Sequence, residues 1–225
     1  MEQSYFSKTG EWTCPKCGEK STGIKCPQCR FCIYAGFWFR VLASSVDKII
    51  ITGCAYLFLF IRTYSLTGYI VVTLLGFLFY RFYHIGCVAL WGQTPGKMAA
   101  QIKIVKLDGA PASLWNAFLR NSVETGLVTI VLVLELIAVS RVSPSTYAAA
   151  DLDTRKSLIE VLMPQWIFWI PLANNAFVLS EFVVLFLNKK KRALHDFIAG
   201  TVIVHDTKLP ILPWKIELIQ TPEQP

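Results

Sequence analysis

Three charged residues stand inside a stretch that is otherwise long and apolar enough to cross a lipid bilayer. Residues 35–62 read AGFWFRVLASSVDKIIITGCAYLFLFIR and contain Arg40, Asp47 and Lys48. A spanning helix needs about 20 mostly apolar residues. A charge held at bilayer depth costs on the order of 3 kcal/mol on insertion scales. Such a helix must therefore turn its charges towards protein or enclosed water. Arg40 and Asp47 lie seven positions apart, on nearly the same face and about 10.5 Å apart along the axis. That is too far for an easy direct bond, so each is expected to find its partner on another element. Lys48 places a positive charge next to Asp47 in the sequence.

Three more apolar runs follow, at residues 69–90, 114–139 and 165–187. With 54% hydrophobic residues in 225, clustered in this way, the chain reads as an integral membrane protein. The four runs carry Arg40, Lys48, Arg81 and Arg120 against Asp47, Glu124, Glu135 and Glu181. Equal numbers of each sign allow a bundle to neutralise its own charges. Arg120 and Glu124, one turn apart, are expected to pair within their helix. Arg81 and His84 share a face, Asn174 and Glu181 could line a polar seam, and Pro171 is expected to kink the last helix.

The segments between the runs are polar. QIKIVK, residues 101–106, alternates apolar and polar residues and is followed by the turn LDG. It predicts a short strand, and TVIV at 201–204 is a candidate partner. A surface helix is expected within 141–164. Fourteen of the 22 Lys and Arg fall in the segments on the N-terminal side of the bundle and four in those on the other side. The positive-inside rule then places both termini in the cytoplasm. The net charge of +7 thereby needs no nucleic acid partner. No secretory signal precedes the first run, and the expected location is a prokaryotic plasma (inner) membrane.

The N-terminal segment carries CPKC and CPQC, with Cys14, Cys17, Cys26 and Cys29 in two C-x-x-C pairs eight residues apart. Four thiolates in this pattern suit a tetrahedral zinc ion. So small a unit has almost no core of its own, so the metal is expected to supply its folding energy. A pair of redox C-x-x-C motifs is the alternative, disfavoured because no βαβ pattern surrounds them. Cys32, three residues past Cys29, could compete as a ligand but is expected to be a free thiol. Four thiolate ligands leave no open coordination position, so the ribbon reads as a structural or docking module.

The blocks AGFWFRVLASSVDKII, WGQTPGKMAAQIKIVKLDGAPASLWNAFLR and ALHDFIAGTVIV, in that order, resemble the RDD family of membrane proteins. The family is named for one arginine and two aspartates, which match Arg40, Asp47 and Asp196. The resemblance covers roughly residues 34–205. It implies a helical membrane domain with a variable soluble appendage. Transport of unidentified ligands has been proposed for the family, at least one member is linked to cation/proton antiport, and some eukaryotic relatives look like partners in membrane-protein quality control.

The expected fold is an all-α polytopic membrane protein of about four transmembrane helices. A cytoplasmic zinc ribbon occupies 1–33, the RDD-like domain 34–206, and a cytoplasmic tail 207–225. GQTPGK has the wrong spacing for a phosphate loop, with Met98 where Ser or Thr would bind magnesium. It reads as a surface turn near Asp196. His195 and Asp196 have no nucleophile beside them, and an enzyme is not expected. Two functions remain. One is a small secondary transporter exchanging a monovalent cation for protons, with Arg40, Asp47, Asp196 and Glu124 as candidate ion-binding residues. Four helices are few for a path, so this reading implies a homo-oligomer. The other is a membrane scaffold or assembly factor whose ribbon docks a cytosolic protein.

Overall fold

A computed structural model of the chain describes residues 11–14 and 16–206. The expected C-terminal tail, 207–225, and most of the N-terminal polar stretch lie outside those residues. The elements run β1 (Trp12–Thr13), β2 (Lys20–Ser21), α1 (Phe37–Tyr64), α2 (Leu66–Arg81), a π-helical stretch Phe82–Gly86, and α3 (Cys87–Trp91). Then come α4 (Pro95–Ala99), β3 (Ile102–Lys106), α5 (Leu114–Arg120), α6 (Ser122–Ser140), α7 (Pro144–Ala149) and α8 (Leu152–Val161). A 3-10 turn, Gln165–Phe168, leads into α9 (Trp169–Leu187), α10 (Leu194–Ile198) and β4 (Thr201–His205).

Among the described residues, three stretches are long and apolar enough to cross a membrane: Leu66–Trp91, Ser122–Ser140 and Gln165–Leu187. They bury little within the chain, and Leu78, Phe82, Ile130, Leu179, Val183 and Phe186 stand exposed along them. Apolar surface of that extent is stable only against lipid. Helix α1, with 28 residues, spans about 42 Å and is also long enough. Arg40, Asp47 and Lys48 fall in its first twelve residues, where α4 and the strand pair pack on it. The charged part of α1 therefore belongs to a polar layer at the membrane surface, and Lys48 is exposed there.

The expected turn between the first two helices shrinks to Ser65, whose hydroxyl caps α2 by accepting from Gly68 N at 2.9 Å. The third run is broken at Asn121 into α5 and α6. Pro171 falls in the first turn of α9, just past the 3-10 turn, where a missing N–H costs a helix least. At the far end, two short helices replace the single one expected. Tyr147 of α7 and Ile159 of α8 close over Tyr69, Ala138 and Val139.

Strands β3 and β4 pair antiparallel, Ile102 opposite His205 and Lys106 opposite Thr201. Period-2 alternation gives each strand two apolar faces. Ile102, Ile104 and Ile203 pack on Ala35, Phe39 and Ala43 at the start of α1, with Val88, Ala100 and Ala117. Val105, Val202 and Val204 face the ribbon, packing with Trp12, Phe31 and Ile33. The chain joining ribbon to α1 continues the sheet. Tyr34 bridges Val204, His205 N donates to Ile33 O at 2.9 Å, and Ala35 N donates to Ile203 O at 3.0 Å. The ribbon therefore does share a core, contrary to the expectation of a unit with almost none. Residues 11–36, 92–113 and 188–206 meet on this one side of the helices.

Candidate functional site: a cysteine cluster, two charge networks and a cavity

The two C-x-x-C motifs fold into matching turns. Cys14 N donates to Glu19 O and Gly18 N to Cys14 O; Cys26 N donates to Phe31 O and Arg30 N to Cys26 O, all within 2.8–2.9 Å. Gly18 (φ +76°) and Arg30 (φ +57°) take the left-handed position of each turn. The four Sγ atoms lie within 4.8 Å of one another. Cys14 is 3.4 Å from Cys29, and Cys17 is 3.4 Å from Cys26 and 3.6 Å from Cys29. These three close pairs all run between the motifs, which joins the two turns into one cluster. A tetrahedral metal with bonds of about 2.3 Å sets its sulfurs about 3.8 Å apart, so the residues fit a metal ion. Burial pushes the Cys14 thiol up to about 12, whereas the backbone N–H of Cys29 draws Cys26 down to about 7. Cys32 stands outside the cluster, bridged to Lys25.

Arg40 and Asp47 part company. Asp47, 3% exposed, accepts from Tyr83 Oη at 2.5 Å, Thr94 Oγ1 at 2.6 Å and Gly96 N at 2.7 Å, with Lys97 Nζ at 3.8 Å. GQTPGK therefore wraps Asp47, not Asp196 as the sequence suggested. Gly96 is required for that approach, since a Cβ there would lie 2.2 Å from Ala43 O. Burial lowers Lys97 to about 8 despite Asp47 beside it.

Arg40 reaches α10. Its Nη1 donates to Asp196 Oδ2 at 2.8 Å, its Nη2 to Lys191 O and its Nε to Ala35 O. Arg120 donates to the other carboxylate oxygen of Asp196 and meets His195 Nε2 at 2.5 Å. His195 Nδ1 in turn meets Glu181. Arg120 thus pairs across the fold and not with Glu124, because the break at Asn121 turns α5 away from α6. Asp196 is fully buried and also accepts from Ala193 N at 2.9 Å. Burial pushes its carboxyl up, but Arg120 and Arg40 outweigh that and hold it below the usual carboxylate range. Burial, with Arg120, pushes His195 down, so its ring is neutral at pH 7. Two cations and two carboxylates are balanced around one neutral imidazole.

The remaining charges line a cavity of about 360 Å³ between α2 and α6. Thr73, Gly76, Phe77, Tyr80 and Arg81 form one stripe of α2 at helical spacing. Glu124, Val128, Val131, Leu132 and Glu135 form the facing stripe of α6. Tyr80 Oη donates to Glu124 Oε1 at 2.5 Å, and Tyr69 Oη to Glu135. The two carboxylates lie about 16 Å apart along α6. Arg81 stands ten residues before Trp91, about 15 Å along the rod. His84 packs against Tyr80 and Tyr83. Arg81 and Tyr80 are the residues that sequence reasoning left without a role. Their signal was the shared stripe with Thr73 and Phe77.

A bundle of lipid-facing helices under a metal-fit ribbon defines a polytopic membrane protein. The RDD family profile matches residues 34–200, and the chain belongs to the RDD family. No curated protein and no solved structure matches it.

Proposed function

We propose that this RDD protein is a small secondary transporter that exchanges a monovalent cation for protons, with both termini in the cytoplasm of a prokaryotic cell. The observation that carries the reading is the cavity between two helices of membrane-spanning length, with Glu124 on its wall. A carboxylate there can alternate between protonated and cation-bound forms. Asp47 is held by three donors and Lys97, and Asp196 by two arginines, so neither takes a cation without opening the polar layer. Glu124 shares one oxygen with Tyr80. Arg40, Asp47 and Asp196 then serve to lock α1, α4 and α10 together. Association of like chains would complete a path that so few helices leave short. Zinc is the metal that the four thiolates suit best, in a closed structural site. The basic segments gathered on the ribbon side support the cytoplasmic placement.

The test is proton movement in vesicles holding the purified protein, driven by pulses of sodium, potassium and lithium. Wild type is expected to dissipate an imposed pH gradient with one of them, and Glu124→Gln to lose at least tenfold of that rate. No cation-dependent proton movement by wild type would overturn the reading in favour of a membrane scaffold whose ribbon docks a cytosolic partner.

A further inference from the structure

The α2–α6 cavity holds a cation with one of its three nitrogens engaged. Arg81 is 9% exposed. Its Nη1 donates to Thr125 Oγ1 at 2.6 Å, and its Cζ lies 4.5 Å from the centre of the Tyr80 ring. These two contacts fix the plane of the guanidinium. Its Nε and Nη2 are buried with no hydrogen-bond partner among the described residues. Those two atoms form the side edge of the guanidinium, whose parallel N–H groups match the two oxygens of a carboxylate. A buried charged donor left bare is costly, and in a folded protein such a group points to something that fills it. Glu124, on the same cavity, is engaged with Tyr80. Between the polar groups the walls are apolar, with Phe77, Val128 and Leu132.

A site with a forked cation, a carboxylate and an apolar wall fits one chemical class closely. We infer that the cavity between α2 and α6 binds a small apolar zwitterion of the α-amino acid kind, its carboxylate on the Arg81 side edge, its ammonium on Glu124 and its side chain against Phe77 and Val128. The cavity volume suits a molecule of that size. The inference deepens the transport reading and rests on it for movement, though not for binding: the cationic group exchanged for protons at Glu124 becomes the solute's own ammonium.

The experiment is calorimetric titration of the purified full-length chain in detergent with L-leucine, isoamylamine and 4-methylpentanoate. The last two carry only the ammonium or only the carboxylate. Leucine is expected to bind saturably and at least tenfold more tightly than either. Arg81→Lys keeps the charge but loses the fork, and is expected to weaken leucine at least tenfold while leaving isoamylamine unchanged. Glu124→Gln is expected to weaken leucine and isoamylamine together. Leucine binding no tighter than isoamylamine would overturn the inference, as would leucine binding indifferent to Arg81→Lys. If Arg81→Lys does not fold, the comparison of the three compounds on wild type decides by itself. Leucine binding without proton-coupled flux would sink the transport reading alone, whereas cation-driven flux without leucine binding would sink this inference alone.

Discussion

Asp196 is one carboxylate between two guanidinium groups, with no exposure to solvent. Replacing one member of a buried pair leaves the others uncompensated, at a cost of about 3–5 kcal/mol. Asp196→Asn is accordingly expected to destabilise the chain by that order, visible as a lower melting temperature in detergent. The same network sets the response to pH. His195 and Asp196 both titrate lower in the folded chain than in the unfolded one. The unfolded chain therefore binds more protons as pH falls, and stability declines with acidification. The first loss is expected below about pH 6.5, where an unfolded histidine protonates, and the second below about pH 4, where an unfolded aspartate does. Melting temperature measured from about pH 8 down to about pH 3 checks both, and His195→Gln should shrink the first step while leaving the second.

At the scale of elements, the close approach of α4 to α1 depends on the absence of a side chain at residue 96. Gly96→Ala would drive a methyl group into backbone, a contact that no rotamer relieves. A loss of about 3 kcal/mol is expected, the upper end of overpacking costs, read as a drop in melting temperature with helix content kept. Ser65→Ala removes the cap of α2 and should cost about 1 kcal/mol. The apolar runs and the alternation of QIKIVK made the spans and the β3–β4 pair legible in the sequence, because burial against lipid or a sheet face leaves a period in the residues. The break at Asn121 was not legible. It goes with the bond from Arg120 to Asp196, a contact between residues 76 positions apart that no local pattern encodes.

Across the whole molecule, the ribbon and the membrane domain share a core through Val105, Val202 and Val204. Removing the metal should therefore disturb more than residues 11–33. Chelation is expected to raise hydrogen exchange at the His205 and Ala35 amides, which bond across the junction, while amides in the middle of α6 stay protected. A metal-to-protein ratio near one before chelation, with faster exchange afterwards confined to residues 11–33, would show instead that the ribbon folds apart from the sheet.

The amino-acid order alone determined where lipid is met, which side gathers the basic segments and which four thiols cluster, since each follows from local composition or short spacing. Only the tertiary structure decided which carboxylate meets which cation. Arg40, Asp47, Arg120 and Glu124 find partners through helices that approach from distant parts of the chain, and burial rewards the pairing that leaves the fewest bare charges. The same rule makes Arg81, with two donors still bare, the residue at which the fold points beyond itself.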